Sequence, residues 1–259
     1  MGLMRLSLIT GLLVALMATV VPGPAYADPV DHPMLSGNDL YDSGVIPRST
    51  CPERPIGRRN DAALAKRYVT TVVSCLNRVW SAQFAKAGLK FRKPEVALLT
   101  KNPKRSCGLP WHKYQFLQYC ADDVKIVVVL DWKLLRKDPD DLYIFTMMSN
   151  LYAWHINWIV GIEPALLDEQ EPIPDVEITR RNSLQEYCLS GAFIGSVYRS
   201  MRHRDAADWK DVLRQLGRLE AGAYTGTGKN IAYWMNRGFT TRDVGTCAEA
   251  WTAPASKVA

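Results

Sequence analysis

The chain is predicted to fold as an α+β domain: a small mixed sheet with a hairpin, packed on a buried core helix, and a helical C-terminal half. Three observations predict it. The β-branched run Lys125-Ile126-Val127-Val128-Val129-Leu130 follows a turn at Ala121-Asp122-Asp123 and suits a buried strand. Leu142 to Ile162 is nearly apolar all round, the composition of a helix enclosed by other elements. The last third places apolar residues at helical spacing, as in Trp209, Val212, Leu213, Leu216 and Leu219, which marks an amphipathic helix.

The elements follow in order. Arg5, the apolar stretch Leu6 to Val21 and Ala25-Tyr26-Ala27 form the three parts of a secretory signal peptide spanning 1–27, cut before Asp28. The apolar stretch is 16 residues long, short of the ~20 that cross a bilayer. Residues 28–55 are rich in Pro, Gly, Ser and Asp and read as an irregular arm. Leu64, Tyr68, Val72, Leu76, Val79 and Phe84 predict a helix from Asp61 to Ala87, stopped by Gly88. Strands are expected at Glu95–Thr100 and in a hairpin from Tyr114 to Asp131. Asp138-Pro139 reads as an N-cap followed by proline at the first helical position. Asn150, His155 and Asn157 interrupt the apolar helix that follows, and favour a globular core over a membrane span, where polar groups are costly.

A Pro-rich acidic linker, Glu163 to Asp175, leads to a helix ending near Met201, on which Gly191 and Gly195 permit a close approach by another element. Asn230 to Arg237 reads as a shorter helix capped by Gly238. The main domain is thus 56–252, and 253–259 read as a flexible tail.

The chain carries 32 Lys and Arg against 26 Asp and Glu, a formal charge of +6. In an exported protein that balance favours anionic envelope polymers or membrane surfaces as much as nucleic acid, and a merely basic surface is the plainer reading. No aromatic-basic module for nucleic acid is evident. The six cysteines, Cys51, Cys75, Cys107, Cys120, Cys188 and Cys247, all follow the leader, and an even count in an oxidising compartment predicts three disulfides. Sequence does not select the pairing, although Cys107 and Cys120 flank a loop that a bridge would suit.

The segment Asn150-Leu151-Tyr152-Ala153-Trp154, closing at Val160-Gly161-Ile162, has the length of a zinc peptidase's active helix. Cys107-Gly108, Tyr119-Cys120-Ala121-Asp122-Asp123, Ser183-Leu184-Gln185-Glu186-Tyr187-Cys188 with Gly191, and Trp234 to Phe239 followed by Cys247 come in matching order. Together these resemble the bacterial neutral zinc metallopeptidases, over about Cys51 to Trp251. The resemblance implies a zincin-like fold.

It does not carry over the chemistry. Such a helix needs His-Glu-x-x-His, whose imidazoles share one face and whose Glu acts as general base. Here Asn150 and Trp154 stand where the two His ligands belong, and Leu151 where the base belongs. Ser183 takes the place of the third ligand, and Tyr187 that of the Asp four residues on. Zinc is therefore expected to be lost, with no cofactor in its place.

The resulting expectation is a secreted pseudopeptidase, binding extended peptides or envelope polymers. One alternative is an active hydrolase rebuilt around His155, Glu186 and Ser183; another is a structural envelope protein. For His155 itself, a hydrogen-bonded place near the core is expected. Leu151 and Trp154 are expected to fill the former metal cavity with apolar bulk.

Overall fold

In the computed structural model, residues 29–57, 60–113, 115–130, 141–168 and 176–259 are described. The expected signal peptide and the Asp138-Pro139 helix start lie outside them. Helix α1 spans Ala62–Lys86, with the Asp61 side chain accepting from the backbone N–H groups of Ala63 and Leu64. It stops at Gly88, whose φ of +70° an L side chain resists. Its apolar stripe, Val72, Leu76 and Phe84 among others, is buried.

Strands β1 (Glu95–Leu99), β4 (Leu117–Cys120) and β5 (Lys125–Val129) form a sheet ordered β1-β5-β4. β1 runs parallel to β5, and β4 pairs antiparallel with it, Leu117 opposite Val128. The central strand β5 buries Ile126 to Val129, which is why its sequence does not alternate. Between them, β2 (Arg105–Ser106) and β3 (Leu109–Pro110) make a small hairpin. Cys107 and Gly108 occupy its turn with φ of 50° and 71°, the left-handed pair a two-residue hairpin turn demands.

Helix α2 (Asp141–Ile159) is the core of the domain. Leu142, Phe145, Met148, Tyr152 and Ile156 are fully buried on it. Its position between α1, β4 and α4 (Val176–Val197) accounts for its apolar composition. No helix among the described residues is long and apolar enough to cross a membrane.

The stretch read as a linker from Glu163 is in part helical. Gly161 turns the chain at φ +87° and α3 (Ile162–Asp168) follows. The turn lets Ile162 and Leu166 bury their side chains, and Pro164 falls in the first turn of α3, where a missing N–H breaks no helical hydrogen bond. The remainder, 169–175, lies outside the described residues.

After α4 come α5 (Ala206–Leu216), α6 (Gly228–Thr241), α7 (Gly245–Thr252) and α8 (Ala255–Val258). Asp205 and Asp208 form a capping box at the start of α5. Gly238, expected as a cap, lies inside α6; the left-handed cap is Arg242 at φ 56°. Glycine at 238 answers a packing need instead, since α6 crosses α4 there. The segment 253–259, expected to be flexible, is docked: Val258 is buried, and the Trp234 indole donates to the Lys257 carbonyl at 2.9 Å. Asn230 Nδ2 donates to the carbonyl of Ala259 at 2.6 Å.

The architecture is therefore α+β, with a small mixed sheet and a mostly helical C-terminal half. All six cysteines are paired, as Cys51–Cys75, Cys107–Cys120 and Cys188–Cys247. They tie the N-terminal arm to α1, the β2–β3 turn to β4, and α4 to α7.

Candidate functional site

Helices α2 and α4 lie antiparallel. Ser149 Oγ donates to the Ser190 carbonyl at 3.3 Å at one end, and Asn157 Nδ2 donates to Asn182 Oδ1 at 3.1 Å at the other. This pairing brings the two segments singled out in the sequence into one region. Asn150, Leu151 and Trp154 from α2 and Glu186 from α4 line a pocket of about 290 Å³, closed on another side by Phe116 and Leu117 at the start of β4. Ser183 and Tyr187 are partly buried on α4 and are not among its walls. Three residues along a helix is a step of about 4.5 Å, so Glu186 takes the place in the pocket that alignment gave to Ser183.

The apolar plug expected from Leu151 and Trp154 is not formed. Trp154 is 38% exposed and the pocket remains open. Its ring stands against Tyr119, centroids 5.8 Å apart, and its side chain lies beside Glu163. Held against Tyr119, the indole forms a wall rather than filling the space.

Glu163 and Glu186 form the chemical centre of this region. The turn at Gly161 places Glu163, in the first turn of α3, against α4. Asn182 Nδ2 donates to Glu163 Oε1 at 2.5 Å and to Glu186 Oε1 at 3.3 Å. Burial raises the pKa of Glu163 above the ordinary carboxylate value. Glu186 is held well above it, by burial first and then by the charge and hydrogen bond of Glu163. Two carboxyls so close resist ionising together, so they titrate as a unit and retain a shared proton.

Behind the pair lies a buried relay. Asn157 and Gln185 exchange amide hydrogen bonds at 2.7 and 3.2 Å. Gln185 Nε2 and the Trp251 indole both donate to the Tyr41 hydroxyl, at 3.2 and 2.8 Å. These contacts fix the Asn182 amide, and through it the carboxyl pair.

The pair has a measurable consequence for stability. Its folded-state pKa values are raised, so its contribution is fully present below the unfolded carboxylate value and is lost as pH rises through the folded values. Glu163→Gln keeps a hydrogen-bonding side chain without the second charge. It is expected to stabilise the protein by about 1–2 kcal/mol near pH 8 and by nothing near pH 4. Urea denaturation at the two pH values checks this; an equal shift at both contradicts the shared proton.

His155 is buried and saturated. Its Nε2 lies 2.9 Å from the Arg92 carbonyl oxygen, which only accepts, so Nε2 carries the hydrogen. Nδ1 then accepts from the Tyr119 hydroxyl at 3.0 Å. Burial lowers its pKa to about 4, keeping the imidazole neutral. It ties α2 to β4 and to the loop before β1, as a hydrogen-bonded core histidine does. Of His155, Glu186 and Ser183, only Glu186 lines the pocket, so the pocket does not bring these three together.

A catalytic zinc takes three ligands drawn from His, Cys, Asp and Glu and keeps an open position. Asn150, Leu151 and Trp154 do not fit that donor set. No group of three or more such side chains among the described residues is placed to hold a metal ion.

No protein-family model, curated protein or solved structure matches the chain. The site is therefore read from its own geometry. Sequence reasoning singled out Asn150, Leu151, Trp154 and Glu186 but missed Glu163, Asn182 and Gln185 as a unit. The signal available was polar amides at positions where a buried helix has no use for them.

Proposed function

We propose that this is a zincin-like protein without zinc or proteolysis, which holds an extended peptide as an added strand along β4. The observation that carries this reading is an open pocket directly beside an edge strand. The Val129 N–H bonds the Phe116 carbonyl at 2.8 Å. In an antiparallel ladder, bonded and outward-facing residues alternate. Leu117 and Tyr119 therefore turn their backbone groups away from β5, toward the edge that no other strand among the described residues covers. There Gln115 Nε2 already donates to the Leu117 carbonyl at 3.2 Å and must be displaced. A peptide strand placed there gains main-chain hydrogen bonds, and its alternate side chains reach the pocket, the usual division between affinity and specificity in strand addition. Three disulfides and the leader-like N-terminus favour an exported setting, where unfolded or cleaved peptides and envelope polymers are the available ligands.

The test is calorimetric titration of the folded protein with a panel of unstructured decapeptides. Binding is expected, and it is abolished by N-methylating the peptide at alternate residues. Trp154→Ala is expected to weaken binding about tenfold or more while shifting the melting temperature little, because the ring is already 38% exposed. If anionic polysaccharide binds and no peptide does, the reading falls in favour of an envelope-polymer binder. If nothing raises the melting temperature, a structural role replaces it.

A further inference from the structure

The peptide-holding reading leaves open which side chain the pocket accepts, and three features of the pocket bear on it. Its walls are apolar, from Phe116, Leu117, Leu151 and Trp154, and its one acidic group is Glu186. At about 290 Å³ it lies at the small end of ligand sites, a size for one side chain rather than a whole cofactor. Asn150 Nδ2 is buried there without a hydrogen-bond partner among the described residues, a donor that calls for a carbonyl oxygen.

The charge around Glu186 is unbalanced. From α3 it meets Glu163, a second carboxyl. From α2 it meets the neutral amide of Asn157, and on its own helix Asn182 and the phenol of Tyr187. No Lys, Arg or His among the described residues forms an ion pair with Glu163 or Glu186. The protein is basic overall, at +6, yet no basic side chain among the described residues is paired here.

We propose that the pocket takes the lysine or arginine side chain of a bound peptide, its cation on Glu186, its methylene stem between Trp154 and Leu151, and the neighbouring peptide carbonyl on Asn150. An aromatic and aliphatic channel ending in a carboxylate matches a long apolar stem with a charged tip. The cation also changes the protonation of the site. A positive charge beside Glu186 favours ionisation of both carboxyls, so the shared proton leaves for solvent as the cation arrives. Binding therefore releases up to about one proton, and affinity rises with pH.

This inference rests on the peptide-holding reading, and its test separates the two. The folded protein is titrated with matched decapeptides carrying lysine, norleucine or glutamate at one central position, and separately with n-hexylammonium and n-hexanol. Heats are measured in two buffers of different ionisation enthalpy. The expected result is a preference for lysine over norleucine of about tenfold, with proton release seen for lysine peptide and hexylammonium alone. Glu186→Gln abolishes both the preference and the release, whereas Glu163→Gln reduces the release while keeping binding, because burial alone still favours the protonated Glu186.

Peptides that bind equally well with lysine or norleucine, without proton release, overturn the basic-side-chain assignment and leave strand addition standing. Hexylammonium binding with proton release, but no peptide binding, overturns strand addition and keeps the cation site. Binding by neither probe overturns both.

Discussion

Replacing Gly238 by alanine is expected to cost about 3 kcal/mol or more in stability. Helices α4 and α6 cross with their backbones in contact. A Cβ at 238 would lie 1.9 Å from the Cys188 carbonyl oxygen and 2.8 Å from the Ala192 nitrogen. The contact is reciprocated: Cβ atoms at Gly191 and Gly195 would lie 2.0 and 2.1 Å from the carbonyls of Met235 and Phe239. The obstructing atoms are backbone, so no rotamer change relieves the overlap, and the helices must separate.

Separation is resisted because Cys188, at the centre of the crossing, is bonded to Cys247 on α7. Alanine's intrinsic helix preference of about 1 kcal/mol over glycine acts in the opposite direction and is outweighed. Chemical denaturation of Gly238→Ala checks the outcome. Gly57→Ala is the control, because a Cβ there meets nothing within 4 Å. Loss of less than about 0.5 kcal/mol at Gly238 contradicts the backbone-to-backbone crossing.

Glu53→Ala is the second large effect, expected to destabilise by about 3–5 kcal/mol. The Glu53 side chain is fully buried, two residues beyond the Cys51–Cys75 bridge. Oε2 meets His203 Nε2 at 2.7 Å. Oε1 accepts from Arg204 Nη2 at 3.0 Å and from the Tyr68 hydroxyl at 2.9 Å. One carboxylate thus joins the N-terminal arm, α1 and the turn before α5. Alanine removes the Glu53 carboxylate from a largely buried guanidinium and from the Tyr68 phenol, which costs more than the pair itself contributes. Glu53→Gln retains one acceptor oxygen and is expected to lose less. Urea denaturation of both variants ranks them; equal losses would show that packing, not charge, holds the arm.

The pattern of what sequence made legible follows from the range of the forces involved. Helix α1 was readable to within a residue because its N-cap at Asp61, its stripe and its stop at Gly88 are all local. Strand β5 was readable because burial on both faces leaves a continuous β-branched run. The β4–β5 turn and the Cys107–Cys120 bridge span short distances along the chain. His155 as a satisfied core histidine followed from the rule that buried polar groups find partners.

The failures share a different cause. Gly238 looks the same in sequence whether it ends a helix or admits a neighbour, and only the position of Cys188 distinguishes the two. The tail reads as small and polar, while its order comes from Trp234 and Asn230, some two dozen residues earlier. Trp154 was expected to be core because tryptophan usually is. Its exposure depends on Tyr119 holding the ring at the rim. Glu163 itself was invisible as a site residue, since only the turn at Gly161 returns it to Glu186.

The sequence by itself determined the α+β composition, helices α1, α2, α4, α5 and α6, the β4–β5 hairpin, the count of paired cysteines and the identity of the side chains at 150, 151 and 154. Those properties depend on residue identity and short-range periodicity. Tertiary structure decided that the pocket beside Asn150 and Trp154 stays open, that Glu186 rather than Ser183 reaches it, and that a second carboxyl stands behind it. Each of these depends on which side chains meet across α2, α3 and α4, and such meetings are set by packing between segments far apart in the chain.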